Sequence, residues 1–204
     1  MRKVILGSIL ISVSLVTACG RDTGQAQPDA LNPTTFATPV APEPTGSTNI
    51  IDETAAKAYR EALQKSLAAQ SETGLTEIWK DPDGNLAQVV SFDVASQKGV
   101  QHDIIADEAQ ELGGDAMMPT VLLDELDALE GNASTDRGSV TSQKTGTFTV
   151  LNYVDDSKYV SVYTVDDQGR LASAQVSVDD ELSAIATFTY SVTAEGKTAF
   201  AKLK

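Results

Sequence analysis

The clearest pattern in the chain is an alternation of apolar and polar residues in its C-terminal third. The segment KYVSVYTV-DDQG-RLASAQVSV-DDE-LSAIATFTYSV alternates almost throughout, from Lys158 to Val192. A period of two is typical of β-strands that bury one face. The pattern therefore predicts three antiparallel strands joined by tight turns, and residues 146–154 predict one more strand before them.

The turns predict how these strands pair. A three-residue loop at 167–169 places Gly169 in a left-handed position, which suits a bulged type I turn. It predicts the pairs Thr164–Ala172, Val162–Ala174 and Val160–Val176. A second three-residue loop at 179–181 predicts the pairs Val178–Leu182, Val176–Ala184, Ala174–Ala186 and Ala172–Phe188. Both registers place the apolar side chains on one face, and a slip of one residue would mix the two faces.

This apolar face has small side chains at its centre, where alanines are predicted to lie side by side. Its candidate ligand-binding residues are Val162, Ala172, Ala174, Val176, Ala184, Ala186, Phe188 and Tyr190. Small side chains on a curved sheet leave volume that either an apolar ligand or a closely packed helix would fill. For the second alternative, the side chains would come from Tyr59, Leu63 and Leu67.

A helical period precedes the strands. Apolar residues recur every four positions after Asp52, which is a suitable capping residue, and predict an amphipathic helix to about Gln70. Residues 75–92 then predict a hairpin around the turn Asp81–Gly84. Because the connections are short, we expect an antiparallel meander packed against the helix, which is an α+β fold.

The middle of the chain is strongly acidic. No Lys or Arg occurs from Gly99 to Asp136, and an apolar stripe from Pro119 ending at Gly131 predicts a helix, so we expect a short helical lobe here. Asp124, Asp127 and Glu130 share one face of that helix by their spacing. This face is a solvated surface, a weak cation site or a docking surface for a basic protein partner, and nothing in the spacing defines a coordination set.

The N-terminus predicts a targeting segment. Residues 1–18 carry two basic residues followed by an apolar run, as secretory signal peptides do. Val16-Thr17-Ala18-Cys19 resembles the bacterial lipobox. That resemblance implies that Cys19, the only cysteine, receives a diacylglyceryl group and becomes the first residue of a protein anchored to the extracytoplasmic face of the cell membrane.

Composition divides the remainder into two parts. Five of the seven prolines fall within 19–49, which predicts a disordered tether. Residues 50–204 then form a single domain. Removal of residues 1–18, with Arg2 and Lys3, changes the net charge from −14 to −16, which argues against binding to nucleic acid.

No pattern in the chain indicates catalysis. There is one histidine, His102, which we interpret as an ordinary strand residue, and no second thiol. The sequence has no nucleophile elbow and no Gly-rich loop that opens a helix. We therefore expect neither enzymatic activity nor a metal or other cofactor.

The order of lipobox, Pro-rich tether, amphipathic helix, hairpin and meander with an inserted helix resembles the LolA-like lipoproteins, including the LppX and LprG group. The resemblance covers residues 52–204 as an arrangement of elements. It implies a half-barrel whose helix-covered concave face holds acyl chains. The function expected from the sequence is thus a lipid or apolar-ligand carrier, and the alternative is a cell-surface interaction module that uses its acidic lobe or polar sheet face.

Overall fold

The computed structural model describes residues 50–131, 138–154 and 157–203. The predicted signal peptide, Cys19 and the tether lie outside the described residues. Within them, the chain forms three α-helices, a short 3-10 helix and a ten-stranded sheet, which confirms the predicted α+β class.

The elements follow one another in a simple order. The helices are α1 (Glu53–Thr73), α2 (Met118–Glu130) and α3 (Ala194–Lys202), and the 3-10 helix spans Gly114–Ala116. The strands are β1 (Ile50–Ile51), β2 (Leu75–Lys80), β3 (Leu86–Asp93), β4 (Lys98–Asp103), β5 (Glu108–Leu112), β6 (Ser139–Lys144), β7 (Thr147–Val154), β8 (Ser157–Val165), β9 (Leu171–Val178) and β10 (Glu181–Thr189).

The sheet consists of two antiparallel meanders, β2–β5 and β6–β10, which meet where β10 pairs with β2. The order across the sheet is β1-β6-β7-β8-β9-β10-β2-β3-β4-β5, and β1 alone is parallel to its neighbour. Helix α2 lies between β5 and β6 in sequence, so it connects one end of this curved sheet to the other.

Helix α1 begins and ends at residues whose chemistry explains its limits. The Asp52 carboxylate accepts hydrogen bonds from the N–H groups of Thr54 (2.9 Å) and Ala55 (3.1 Å), as a capping residue does. At the other end, Gly74 has φ of +84° and donates its N–H to the carbonyl of Gln70. The predicted helix is confirmed, and Tyr59 and Leu63 are buried on its inner face.

The helices lie on opposite faces of the sheet. Helix α1 contacts the face that carries Phe148 and Tyr163, because the Tyr59 ring lies 5.2 Å and 5.6 Å from these rings. We call this the α1 face. Helix α3 contacts the other face, where Ala199 packs with Val89 and Val100.

The register between β8 and β9 differs from the prediction by one residue. Thr164 pairs with Ser173, Val162 with Gln175 and Val160 with Ser177. The turn itself is as predicted, with Gly169 at φ of +76°. The difference arises after the turn, because the Leu171 N–H donates to Ser66 Oγ of α1 (2.9 Å) and the ladder shifts between Leu171 and Ser173.

The turn between β9 and β10 is also shorter than predicted. Asp179 and Asp180 both have positive φ, +49° and +67°, which makes a two-residue turn of the primed type. It pairs Val178 with Glu181, so the predicted Val178–Leu182 pair is wrong. A shift between Leu182 and Ala184 then restores the predicted pairs Val176–Ala184 and Ala174–Ala186.

The acidic middle is less helical than predicted. Residues 98–112 form the hairpin of β4 and β5, and only the 3-10 helix and α2 are helical. The loops on either side of β4 are closed in the same way: Asp93 accepts from the N–H of Ser96, and Asp103 accepts from that of Ala106. These aspartates satisfy loop donors locally, which lets a polar segment form strands. The predicted end of α2 at Gly131 is confirmed.

We predict that Gly74→Ala destabilises the protein far more than Gly84→Ala. Both glycines have a φ near +85°, but a Cβ at Gly74 would lie 2.6 Å from the Phe92 carbonyl oxygen, whereas nothing lies within 4 Å at Gly84. Strain from the positive φ costs on the order of 1–2 kcal/mol at either position, and the steric contact adds to it only at Gly74. Urea unfolding of the two variants measures the difference, and equal losses would contradict the prediction.

Candidate functional site

Apart from Tyr190, the predicted ligand-binding residues divide into three groups in the structure. Ala174, Val176, Ala184, Ala186 and Phe188 are all buried on the α1 face. Val162 is half-buried on the opposite face, since its neighbour Tyr163 is the residue that pairs with Ala174. The prediction that Val162 shares a face with the alanines is therefore wrong, because it depended on the predicted register of β8 and β9. Ala172 lies half-buried at the irregularity after Leu171.

Tyr190 closes one end of the α1 face. Its hydroxyl donates to the Leu171 carbonyl (3.0 Å), and the Arg170 guanidinium lies 4.5 Å from its ring centroid. Burial raises the pKa of Tyr190 to about 12. Together with the bond from the Leu171 N–H to Ser66, this contact means that α1 itself occupies the Leu171 end of the face.

Glu77 is a buried carboxylate at the centre of the sheet, 1% exposed. One oxygen accepts from the Met118 N–H (2.8 Å) and the other from the Trp79 indole N–H (3.3 Å). Met118 is the first residue of α2, and no side chain of the helix's own N-terminal segment caps it. Glu77 therefore caps α2 from the sheet, where a carboxylate also interacts favourably with the helix dipole.

Burial raises the pKa of Glu77 to about 7, and the two hydrogen bonds only partly offset that effect. Glu125, on the inner side of α2, is half-buried, and burial of its carboxyl likewise raises its pKa to about 7. The groups that act on these two carboxyls include no Lys, Arg or His of the described chain. Each acid therefore lies in an apolar region with no basic side chain to stabilise its charge.

One polar atom of Glu125 and one of the neighbouring Tyr59 have no hydrogen-bond partner among the described residues. They are Glu125 Oε1 and the hydroxyl of Tyr59, and both are buried. Glu125 and the Tyr163 hydroxyl both act on Tyr59, and burial is the main cause of its raised pKa. Tyr163 lies close enough to act on the Tyr59 hydroxyl, although their contact does not reach the geometry of an ordinary hydrogen bond.

Tyr163 connects these groups. Burial is again the main reason that its pKa is raised, and Glu125 and Glu77 add to the shift. The set Glu77, Glu125, Tyr59 and Tyr163 is called the buried acid–tyrosine cluster below. It adjoins the alanines, because Tyr163 pairs with Ala174 and Ala174 with Ala186.

Two of the exposed carboxylates of α2 form ion pairs with Arg60 of α1. Arg60 Nη2 of α1 lies 2.6 Å from Asp127 Oδ1 and 2.6 Å from Glu130 Oε2. The bond to Asp127 is the main cause of the raised pKa of Arg60. Of the three predicted carboxylates, Asp127 and Glu130 thus join the two helices, and only Asp124 takes no part in this ion-pair network.

His102 is a strand residue, as predicted, and is 5% exposed. Its Nε2 lies 3.2 Å from Asp107 Oδ1, and Lys202 of α3 lies 2.7 Å from the same oxygen. The bond to Lys202 is the main cause of the lowered pKa of Asp107. These contacts attach α3 to the β4–β5 hairpin.

The part of the chain that the structure describes lacks two common features. It contains no group of three or more His, Cys, Asp or Glu side chains arranged to hold a metal ion. None of its helices combines the length and apolar character needed to cross a membrane.

Comparison with known proteins places the chain in no family. No protein-family model matches it, and no curated protein matches its sequence significantly. Only the geometry of this chain therefore bears on its function.

The buried acid–tyrosine cluster was not predicted from the sequence, although two signals were present. Glu77 has the same parity as Leu75 and Trp79, which places a charged residue on the inward face of a strand. Glu125 lies beside the Leu122–Leu126–Leu129 stripe of α2. An acidic residue on the inward face of a strand or helix predicts a carboxyl that is shielded from solvent.

We predict that Glu125→Gln flattens the pH dependence of stability. The native pKa of Glu125, about 7, is higher than the ordinary value of 4.5 for a glutamate carboxyl. The protonated carboxyl therefore contributes stability that is complete below about pH 4.5 and is lost as pH rises through about 7. Glutamine keeps the neutral form at every pH, so at pH 8 the variant should be more stable by up to about 3 kcal/mol.

Denaturant unfolding between pH 4 and pH 8 measures this difference. Asp124→Asn is the matched control, because it removes an exposed carboxylate from the adjacent position of the same helix. If the Glu125 variant and wild type have parallel pH profiles, the carboxyl is not buried as described.

Proposed function

We propose that this protein is a lipid-anchored, non-catalytic lipoprotein on the extracytoplasmic face of the cell membrane, and that its domain holds a lipid or other apolar ligand beneath α1 and α2. The observation that carries the proposal is the contiguous set of buried alanines on the α1 face. Ala174, Ala184 and Ala186 are each no more than 1% exposed and lie on neighbouring strands. We infer that the space above these small side chains takes an acyl chain, and that Tyr59 and Leu63 of α1 fill it only in part.

The architecture supports the same proposal. The sheet is curved, and α1 and α2 lie together over its α1 face. This arrangement is similar to the half-barrel that the LolA-like resemblance implies. Cys19 provides the proposed anchor, and a diacylglyceryl group has two chains, which hold a protein firmly where a single chain does not.

The alternative is a cell-surface interaction module that binds a basic protein partner through its acidic residues. Arg60 already pairs with Asp127 and Glu130, which leaves less free charge for such a partner. The carrier proposal is therefore the better supported of the two.

We predict that Ala186→Trp prevents ligand binding while Thr187→Trp does not. The two residues are neighbours on β10, but Ala186 is buried on the α1 face and Thr187 is exposed on the other. Native mass spectrometry of protein extracted in mild detergent should show a bound lipid in wild type and in Thr187→Trp only. Absence of lipid from wild type would refute the carrier proposal.

The unfolding temperature of Ala186→Trp provides a second readout. If the alanines border ligand volume, the indole occupies it and stability changes little. If α1 fills the space completely, an added indole overpacks the core and costs roughly 1–3 kcal/mol or more.

We predict that Cys19→Ala releases the protein into the medium. The substitution removes the only thiol that can carry a lipid. Fractionation of cells expressing wild type and the variant measures the distribution. A variant that remains with the membrane would show that the anchor is elsewhere.

A further inference from the structure

We propose that the buried acid–tyrosine cluster binds the ammonium group of an amphiphilic primary amine, with the Glu125 carboxylate and the Tyr59 hydroxyl as its direct ligands. This inference rests on the proposed function, because it assigns the polar end of the ligand whose apolar chain lies on the alanine face.

Two polar atoms of the cluster have unused hydrogen-bonding capacity. Glu125 Oε1 and the Tyr59 hydroxyl are buried and have no partner among the described residues. A buried polar atom left in this state lowers the stability of the protein. An ammonium group has three donors and no acceptor, so it can satisfy the carboxylate oxygen and the hydroxyl oxygen together.

The acidic groups of the cluster favour a cationic ligand. The cluster has two carboxyl groups, Glu77 and Glu125, and no basic residue of the described chain acts on either. Both oxygens of Glu77 already accept hydrogen bonds, so Glu125 is the acid with a free acceptor. A ligand carboxylate would add a third acid to this apolar region, and an alcohol would leave the charge uncompensated. A cation alone balances it.

Two aromatic rings lie beside the ring of Tyr59. The Tyr59 ring lies 5.2 Å from the ring of Phe148 and 5.6 Å from that of Tyr163, measured between centroids. Aromatic faces attract a cation within about 6 Å. The two tyrosine rings, on whose hydroxyls Glu125 acts, therefore favour an ammonium group over a neutral polar group.

The alanines of the α1 face adjoin the cluster and suit the apolar part of the ligand. Tyr163 pairs with Ala174, and Ala174 pairs with Ala186, so one row of the sheet leads from the cluster to the smallest side chains. A ligand with its amine at Tyr59 and Glu125 would extend its alkyl chain along this row. The ligand class is thus a long-chain amine or an amine-bearing lipid.

The experiment compares three probes with the same alkyl chain: decylamine, decanol and decanoate, each below its micelle-forming concentration. Binding to the full chain is measured by calorimetry and by the shift in unfolding temperature at pH 7.5. We expect decylamine to bind at least about tenfold more tightly than decanol, and decanoate to bind most weakly. Equal binding of decylamine and decanol would overturn the inference.

Variants test the assignment of ligands. Glu125→Gln and Tyr59→Phe should each reduce decylamine affinity about tenfold, to near that of decanol, and leave decanol binding unchanged. Asp124→Asn removes the same charge from the adjacent exposed position and should keep the preference for the amine. If Asp124→Asn lowers amine affinity as much as Glu125→Gln, the preference reflects only the acidity of the chain, and the inference is wrong.

The outcomes separate this inference from the proposed function. If decanol and decanoate bind as well as decylamine, the carrier proposal stands and the amine assignment fails. If none of the three probes binds, and wild type also carries no lipid, both fail.

Discussion

The pairing of β10 with β2 is the contact on which the rest of the fold depends. Five residue pairs, from Ile185–Lys80 to Thr189–Thr76, join two meanders that are distant in sequence. This closure places Phe188 opposite Glu77 and Ala186 opposite Trp79, which brings the alanine face next to the capped end of α2. The entropy of closing so long a loop is offset by the apolar surface that both meanders bury together.

Thr76 reinforces the same junction from the other face of the sheet. Its hydroxyl accepts from the Thr193 N–H, lies 3.0 Å from Ser91 Oγ and donates to the Ser191 carbonyl. These bonds connect β2, β3 and the segment that leads into α3. The junction therefore combines a backbone ladder with a side-chain network.

The buried carboxyls show how a protein retains acidic residues in an apolar region. Glu77 compensates part of its burial by accepting two hydrogen bonds and by capping α2, which leaves no oxygen unpaired. Glu125 has no such compensation at Oε1. Its raised pKa is the kind of perturbation that concentrates at functional sites.

Local pattern predicted most of the secondary structure, and non-local contacts account for most of the errors. Alternation predicted the strands of the second meander, and Asp52 correctly marked the start of α1. The shifted register of β8 and β9 could not be predicted, because it depends on a bond from Leu171 to Ser66, a helical residue distant in sequence. The two-residue turn was missed because Asp179 and Asp180 both adopt positive φ, which aspartate does less readily than glycine.

The polar hairpin of β4 and β5 and the short helix α3 were missed for another reason. Their sequences lack a strong apolar period, and they form because Asp93 and Asp103 close the loops and Ala199 packs on Val89 and Val100. The acid–tyrosine cluster draws its residues from α1, β2, α2 and β8, so it exists only once the sheet has closed.

Strand β5 has a consequence for how copies of this protein coexist. It forms one edge of the sheet, and its exposed positions include Glu108, Gln110 and Glu111. An open edge invites pairing with the same edge of another molecule. Two such strands laid side by side would bring their glutamates together, and the repulsion opposes association. Glu111 already pairs with Lys98, so Glu108 contributes most of the charge that opposes pairing of β5 with a second copy of itself.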